Sequence, residues 1–461
     1  MSEEVKSDTV FSDVKRQIWA TLVVNCIILS HGCAVGFFSP ALLILRSEKT
    51  PIITGPLTNA QSSWIGSMSS VGSVLGTFIC GFLSALFGCK KAMIFLAFPT
   101  TIFWLLIHFG DTFYKILIAR LIGGITGGGM QAGVALFVSE ISNDNMRGRL
   151  GAFTPLARNI GVMLSFIAGA IVEYQYWPYI FIFIPIIYLI LLLLLPNTPQ
   201  HYIEREEFHK AKRALIYYKG CEENNERQRT LLNSEFEQLK AVIEERKKSA
   251  KLEMKDFCNR PVLKGIFFSI AMSWFLQTTG CFIITNYASL IFEQSGTALG
   301  INVSSIVLAI VQIFGGLVST KMGDAFGRKI TLFISLYGSI VGLLIFAVYM
   351  YFRQNGYDVS NYVWIPIISS SLIIFVSSAG IMALSNTCTI ENFPPKIRTA
   401  GVVFYSLCNN AVAFIGDKYF PILLEIIFLH GFLLFLAFNC VIGLFFIAFM
   451  KETRGNSLER P

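Results

Sequence analysis

Two charged pairs in this chain share one spacing. Glu140-x6-Arg147 recurs 251 residues later as Glu391-x6-Arg398, each time just past a long apolar span. A basic turn precedes each pair, Gly88-Cys89-Lys90-Lys91 in the first half and Gly327-Arg328-Lys329 in the second. Carboxylates and cations at such repeated positions can form ion pairs that are made and broken, which is the chemistry of a gate. Arg158 offers a different chemistry. It follows Arg149 by nine positions, about 14 Å along a helix, and so stands near mid-depth in an apolar layer about 30 Å thick. A cation at that depth needs water or a counter-ion and is a candidate functional residue. The plainer alternative is a long stem that snorkels back to the interface. No acid is expected in the middle of any span, so an anionic solute is a candidate counter-ion. Acid–base and metal chemistry are not expected either. His31, His108, His201, His209 and His430 are scattered, and no carboxylate is expected close enough to any of them to complete a constellation. The chain is therefore read as no enzyme, with no cofactor and no metal.

The elements that must position these residues are membrane helices. Of 461 residues, 54% are hydrophobic and only 14% charged, against about 25% charged in a soluble domain. With Pro, Gly and charge as boundaries, twelve spans are expected near 17–45, 58–86, 91–109, 113–139, 149–172, 177–196, 263–292, 301–323, 329–352, 361–390, 399–421 and 428–450. Each is long enough to cross the hydrocarbon layer. Repeated charges in two blocks of six spans imply a duplicated unit, the plan of many secondary transporters, with the substrate site between the repeats.

The predicted fold class is thus all-α, two pseudo-symmetric six-helix bundles. The expected order is a cytoplasmic tail at 1–16, a bundle at 17–199, a linker at 200–260, a second bundle at 261–450 and a cytoplasmic tail at 451–461. Two pieces of the linker, EREEFHKAKRALIYYKG and NSEFEQLKAVIEERKKSAK, have helical apolar spacing with i,i+4 charge pairs. They read as amphipathic helices under the bundle, with a disordered linker as the alternative. The polar, mixed-charge N-terminus does not read as a cleaved signal peptide. About 30 of the 37 Lys and Arg fall on one side if both termini are cytoplasmic, which sets that orientation. The net charge of +8 therefore follows topology and does not point to nucleic acid. Ten cysteines without metal spacing read as apolar fillers. The glycines of LIGGITGGGMQAG (121–133) allow close helix approach.

Several segments together resemble the sugar porter family of the major facilitator superfamily, in particular insect facilitated trehalose transporter-like proteins. They are SPALLIL and PLTNAQSSWIGS (39–67), ARLIGGITGGG with VSEI and MRGRLG, PNTPQHYI (196–203), NRPVLKG with FLQTTG and NYASLIF, GDAFGRK (323–329) and KETRGNSLE (451–459). Their order and spacing carry the resemblance, which covers essentially the whole chain. It implies a cytoplasmic gate of Lys90, Lys91, Glu140, Arg147, Asp324, Arg328, Lys329, Glu391, Arg398 and Glu452; solvated interfacial charge is the alternative. Ala85 and Cys89 stand where the family has Asp and Arg, so the gate is expected to lean on the second half.

The same resemblance places Gln277, Gln312, Asn386, Asn409 and Asn410 at a polyol site, on the face that Arg158 shares three residues past Pro155. Asn386 and Asn410 replace tryptophans of the family; Pro155, Leu276 and Phe282 replace polar contacts. Each amide alone could equally serve helix–helix hydrogen bonding. Phe38 stands where proton-coupled relatives have Asp, and a neutral, packed imidazole is the plainer reading of His31.

The expected function is a monomeric uniporter of a sugar such as trehalose or a hexose in the lipid bilayer of the plasma membrane, working by alternating access. Two alternatives stay open: an organic-anion carrier using Arg158, and a solute sensor that does not transport. The sequon Asn302-Val303-Ser304 falls in an expected outer loop and is a glycosylation candidate.

Overall fold

The computed structural model describes residues 14–220, 226–248, 259–394 and 397–448. In the first half, α1 (Lys15–Gly36) continues past a break at Phe37 into α2 (Phe38–Arg46). There follow α3 (Asn59–Phe87), α4 (Cys89–His108), α5 (Phe113–Ile141), the short α6 (Asp144–Gly151) and α7 (Phe153–Ile171). The half closes with α8 (Trp177–Phe181) and α9 (Phe183–Leu194). Between the halves lie α10 (Pro199–Glu204), α11 (Phe208–Lys219) and α12 (Glu226–Lys248).

The second half opens with α13 (Arg260–Thr278), α14 (Cys281–Asn286) and α15 (Ala288–Ser295), three pieces of one broken span. It continues with α16 (Ile301–Phe326) and α17 (Arg328–Gln354). Then come α18 (Ile365–Ala379) and α19 (Ile381–Glu391), broken at Gly380, and last α20 (Arg398–Ile426) and α21 (Phe428–Ala448).

The described regular elements are helical, as a bilayer demands, since a lipid-exposed backbone must satisfy its hydrogen bonds internally. Ten stretches are long and apolar enough to cross a membrane. The remaining two spans, α13–α15 and α20, fall short for a reason: they carry Gln277, Asn286, Asn409, Asn410 and Asp417, which face the interior. With them the chain has twelve spans in two six-span bundles.

α20 corrects the expected end of the eleventh span at residue 421. It runs through Pro421 to Ile426, so Asp417 and Lys418 lie further from its end than expected. Proline inside a helix removes the N–H that would bond the carbonyl four residues back. That carbonyl belongs to Asp417, and the Tyr287 hydroxyl donates to it at 2.8 Å. The orphan is satisfied by a neighbouring element, so the helix continues.

Both basic turns rest on glycine. Gly88 ends α3 and Gly327 ends α16, at φ of 90° and 83°, the region that disfavours any residue with a Cβ. A Cβ at Gly88 would also lie 2.2 Å from Nδ1 of His201, which packs α10 beneath the turn. Burial, with Arg205 and Lys91 nearby, holds that imidazole below its usual pKa range. The linker helices attach to the first bundle. The Tyr218 hydroxyl donates to the Pro196 carbonyl at 2.7 Å, and Lys219 reaches Glu235 and Asn143, each at 2.5 Å.

The glycines of 121–133 hold α5 against α3. A Cβ at Gly128 would sit 1.8 Å from the Ser73 carbonyl oxygen, whereas one at Gly81 would meet nothing within 4 Å. Gly128→Leu is therefore expected to prise the two helices apart. The cost is about 1–3 kcal/mol of overpacking or more, read as a lower melting temperature in detergent, while Gly81→Ala should leave it unchanged or raise it slightly. Equal melting temperatures for the two variants would contradict this packing.

Candidate functional site

The two bundles enclose a cavity of about 330 Å³. The first half lines it from α1, α3, α5 and α7 with His31, Ser69, Ser73, Arg120, Gln131, Pro155, Arg158 and Asn159; the second half adds Gln277, Phe282, Asn286, Ser378, Asn409, Asn410 and Asp417. Four of the expected substrate residues are thus brought together: Gln277, Asn409, Asn410 and Arg158. The Gln277 amide donates to Asn409 Oδ1 at 3.1 Å and the Asn410 amide to the Ser406 carbonyl at 2.8 Å. Each is oriented by its own half and keeps hydrogen-bonding capacity toward the cavity.

Gln312 and Asn386 are placed elsewhere. Gln312 is buried against the opposite bundle, where its backbone carbonyl accepts from the Asn159 amide at 3.4 Å. Asn386 is half-buried on α19 and is not among the cavity-lining residues.

Arg158 stands on α7 near mid-depth, 13 residues before the helix ends at Ile171. Its guanidinium lies 5.4 Å over the ring of Phe282, across the cavity. Among the described residues it makes no hydrogen bond and no ion pair.

Arg120 is held differently. It donates to the carbonyls of Ala34 at 3.0 Å and Ile65 at 3.3 Å and to the Ser69 hydroxyl at 3.3 Å, and it lies 4.7 Å over Phe38. It also interacts electrostatically with Asp417 of the other half. The Asp417 carboxylate is buried and accepts from the Asn286 amide at 3.1 and 3.3 Å. An acid inside a span that faces the cavity overturns the expectation of none. Asp417 was hidden because Pro421 looks like a helix end, which put the acid at the rim. The signal available was Tyr287, a donor able to satisfy the carbonyl that Pro421 frees.

Hydrogen bonds joining the halves gather at the face opposite the one where the described residues begin and end, here termed the distal face. Ser39 and Ser289 hydroxyls meet at 3.0 Å, and Ser39 Oγ accepts from the Ser289 N–H at 2.9 Å. Ser63 donates to the Lys418 carbonyl at 2.6 Å, Asn59 to Glu425, and the Lys418 ammonium lies 3.5 Å over Trp64.

The candidate gate residues lie at the opposite, terminal face. Arg328 pairs with Glu391, and Lys329 donates to the Ala448 carbonyl at 2.7 Å. In the first half Lys90 donates to the Leu193 carbonyl at 3.3 Å and to that of Leu195, while Arg147 donates to the Ser139 carbonyl at 3.3 Å. Glu140 is half-buried at the end of α5, Arg398 is half-buried at the start of α20, and Lys91 is exposed. Asp324 occupies the last turn of α16; Glu452 lies outside the described residues. Asn302 sits exposed in the first turn of α16, not in a loop, and Ser304 of its sequon is buried with its hydroxyl on the Gly300 carbonyl at 2.7 Å.

Comparison with known proteins agrees with this architecture. The facilitated trehalose transporter of Bombyx mori is 28% identical over 444 residues, which is 96% of this chain and 85% of that protein. That of Polypedilum vanderplanki is 28% identical over 448 residues, 96% and 86%. Among solved structures, the xylose transporter XylE from E. coli, in a partially occluded inward open conformation, superposes with a TM-score of 0.78 at 16% identity, covering 96% of this chain and all of that one. Its inward open conformation gives 0.76 at 17% identity, covering 94% and 96%. The family model described as sugar (and other) transporter matches residues 16–460, and the chain belongs to that family.

Proposed function

We propose that this protein is a plasma-membrane uniporter of a sugar or related polyol, with both termini cytoplasmic, that works as a monomer by alternating access. The observation that carries the reading is the cavity between the repeats. Its volume of about 330 Å³ lies at the small end of ligand sites, roughly 300–1,000 Å³. Amides from both halves converge on it, and a neutral polyol is bound by such donors and acceptors with an aromatic face nearby. Phe282 supplies the ring. Relatives named as facilitated trehalose transporters support a sugar as cargo. Uniport is favoured because Phe38 leaves no acid on the first span, and Asp417 is already engaged by Asn286 and Arg120.

On this reading the distal face is extracellular and closed, and the cavity serves the cytoplasm. Ion pairs and cation–carbonyl bonds at the cytoplasmic face then tie helices within each bundle, keeping each half rigid as the halves rock. A sensor that binds solute without moving it is the rival reading. Counterflow of labelled sugar into proteoliposomes decides between them, since exchange above protein-free vesicles is expected only of a carrier.

The amides give a sharper test. Gln277→Ala or Asn409→Ala is expected to raise the KM for the accepted sugar about 2–10-fold, the worth of one hydrogen bond, with the melting temperature little changed. A fall in melting temperature with an unchanged KM would reassign the pair to helix packing.

Asp417 of the second half and Arg120 of the first line the same cavity with opposite formal charge, and on this reading their attraction favours the closed distal face. Asp417→Asn should therefore shift the protein toward the outward-open state and raise labelling of an engineered Ser63→Cys by an impermeant maleimide from outside. Labelling equal to that of the same cysteine beside an intact Asp417 would remove the carboxylate from the latch. Uniport itself fails if an imposed proton gradient drives sugar accumulation in the wild-type vesicles.

A further inference from the structure

The cavity holds more positive charge than it matches. Its charged groups are Arg120, Arg158 and Asp417, with the imidazole of His31 beside them. Arg120 is consumed by two carbonyls, a serine hydroxyl and the facing Asp417. Arg158 has nothing comparable. Among the described residues its guanidinium is left with the face of Phe282 alone. A guanidinium carries five N–H donors and stays charged, and removing it from water without a partner is costly. It stands at mid-depth among the same amides that suit hydroxyl groups, so whatever enters the cavity meets a polyol-binding wall and one unmatched cation.

We infer that the solute is a sugar acid, a polyhydroxylated molecule bearing one carboxylate, whose two oxygens take the Arg158 fork while Gln277, Asn409 and Asn410 bind its hydroxyls. Planar carboxylate and guanidinium match in bidentate geometry, which gives orientation as well as attraction. One charge is the number the site accommodates. A phosphate monoester would bring nearly two, and the second cation that could answer it, Arg120, is committed elsewhere. The inference rests on the transport reading above and deepens it by naming the class of cargo. It also has an electrical consequence: uniport of a monoanion moves one negative charge per turnover, whereas uniport of a sugar moves none.

Purified full-length protein in proteoliposomes tests this with labelled D-glucuronate, D-glucose and glucose 6-phosphate, with chloride present or replaced by sulfate. Glucuronate uptake is expected to exceed glucose uptake about tenfold or more, to accelerate when a potassium–valinomycin potential makes the interior positive, and to ignore chloride. Glucose 6-phosphate should not enter. Arg158→Gln is expected to cut glucuronate uptake about tenfold or more, as loss of a charged hydrogen-bonding partner predicts, while the uptake that remains still responds to the potential because the solute keeps its charge. Arg158→Lys should restore part of the lost rate.

Glucose uptake without glucuronate uptake would overturn the sugar-acid inference and leave the carrier intact, and so would glucuronate uptake untouched by Arg158→Gln. Glucose exchange that requires chloride would assign Arg158 to that ion and overturn it too. If no solute moves, the carrier reading fails by itself. The inference is then decided by whether glucuronate raises the melting temperature of wild type but not of Arg158→Gln; no shift in either overturns it.

Discussion

A helix inside a bilayer must satisfy every polar group it carries from within the protein, and the architecture here follows from where that requirement is met by a neighbour instead of by the helix itself. Five of the described spans are broken, at Phe37, at Ala152, at Ile182, between Thr278 and Ala288, and at Gly380. Another, α20, crosses a proline that frees the Asp417 carbonyl. Tyr287, on the broken seventh span, supplies the missing donor, and Asn286 beside it holds the carboxylate of the same aspartate. Irregular backbone in one span thereby permits an acid and a proline in another. The cavity lies where these irregular spans meet, and Asn286 and Asp417 are among the residues that line it.

The contacts divide by direction. At the terminal face, Arg328–Glu391 and the lysine–carbonyl bonds join helices of the same half. At the distal face, Ser39–Ser289, Ser63–Lys418 and Asn59–Glu425 join the two halves. Ties within a half stiffen it as a body, and ties between halves set which conformation is favoured; alternating access requires the first to persist and the second to be exchanged. The linker helices belong to the first group. Lys219 fixes α11 to Asn143 and to Glu235 of α12, so they travel with the first bundle.

Most of the fold was legible because hydrophobic length and charge boundaries are one-dimensional properties. The expected limits of α3 and α17 agree with the structure to within about two residues, inside the usual uncertainty of helix ends. The site was less legible because it depends on which way a side chain points. Each residue turns a helix by about 100°, so Gln312 can sit in a cavity-forming half and still be absent from the cavity lining, only its backbone carbonyl meeting Asn159. Asn386 lies beyond the Gly380 break, which resets the face that α19 presents. Asp417 was missed for a local reason, since a proline normally stops a helix and only the distant Tyr287 explains why it does not. Arg158 was found because a cation far from any interface needs no knowledge of orientation to be unusual.

Ser39 is the second residue of α2 and Ser289 the second residue of α15, each the last piece of the broken first span of its half. The serines thus hold corresponding positions of the two repeats, and they touch each other. Such a contact is self-complementary and belongs on the twofold axis of the assembly it joins. The seam of this single chain thus keeps the geometry of a dimer of identical parts. On the axis a side chain faces its own counterpart, so any enlargement there would be opposed from both sides; elsewhere along the seam the two halves are free to diverge.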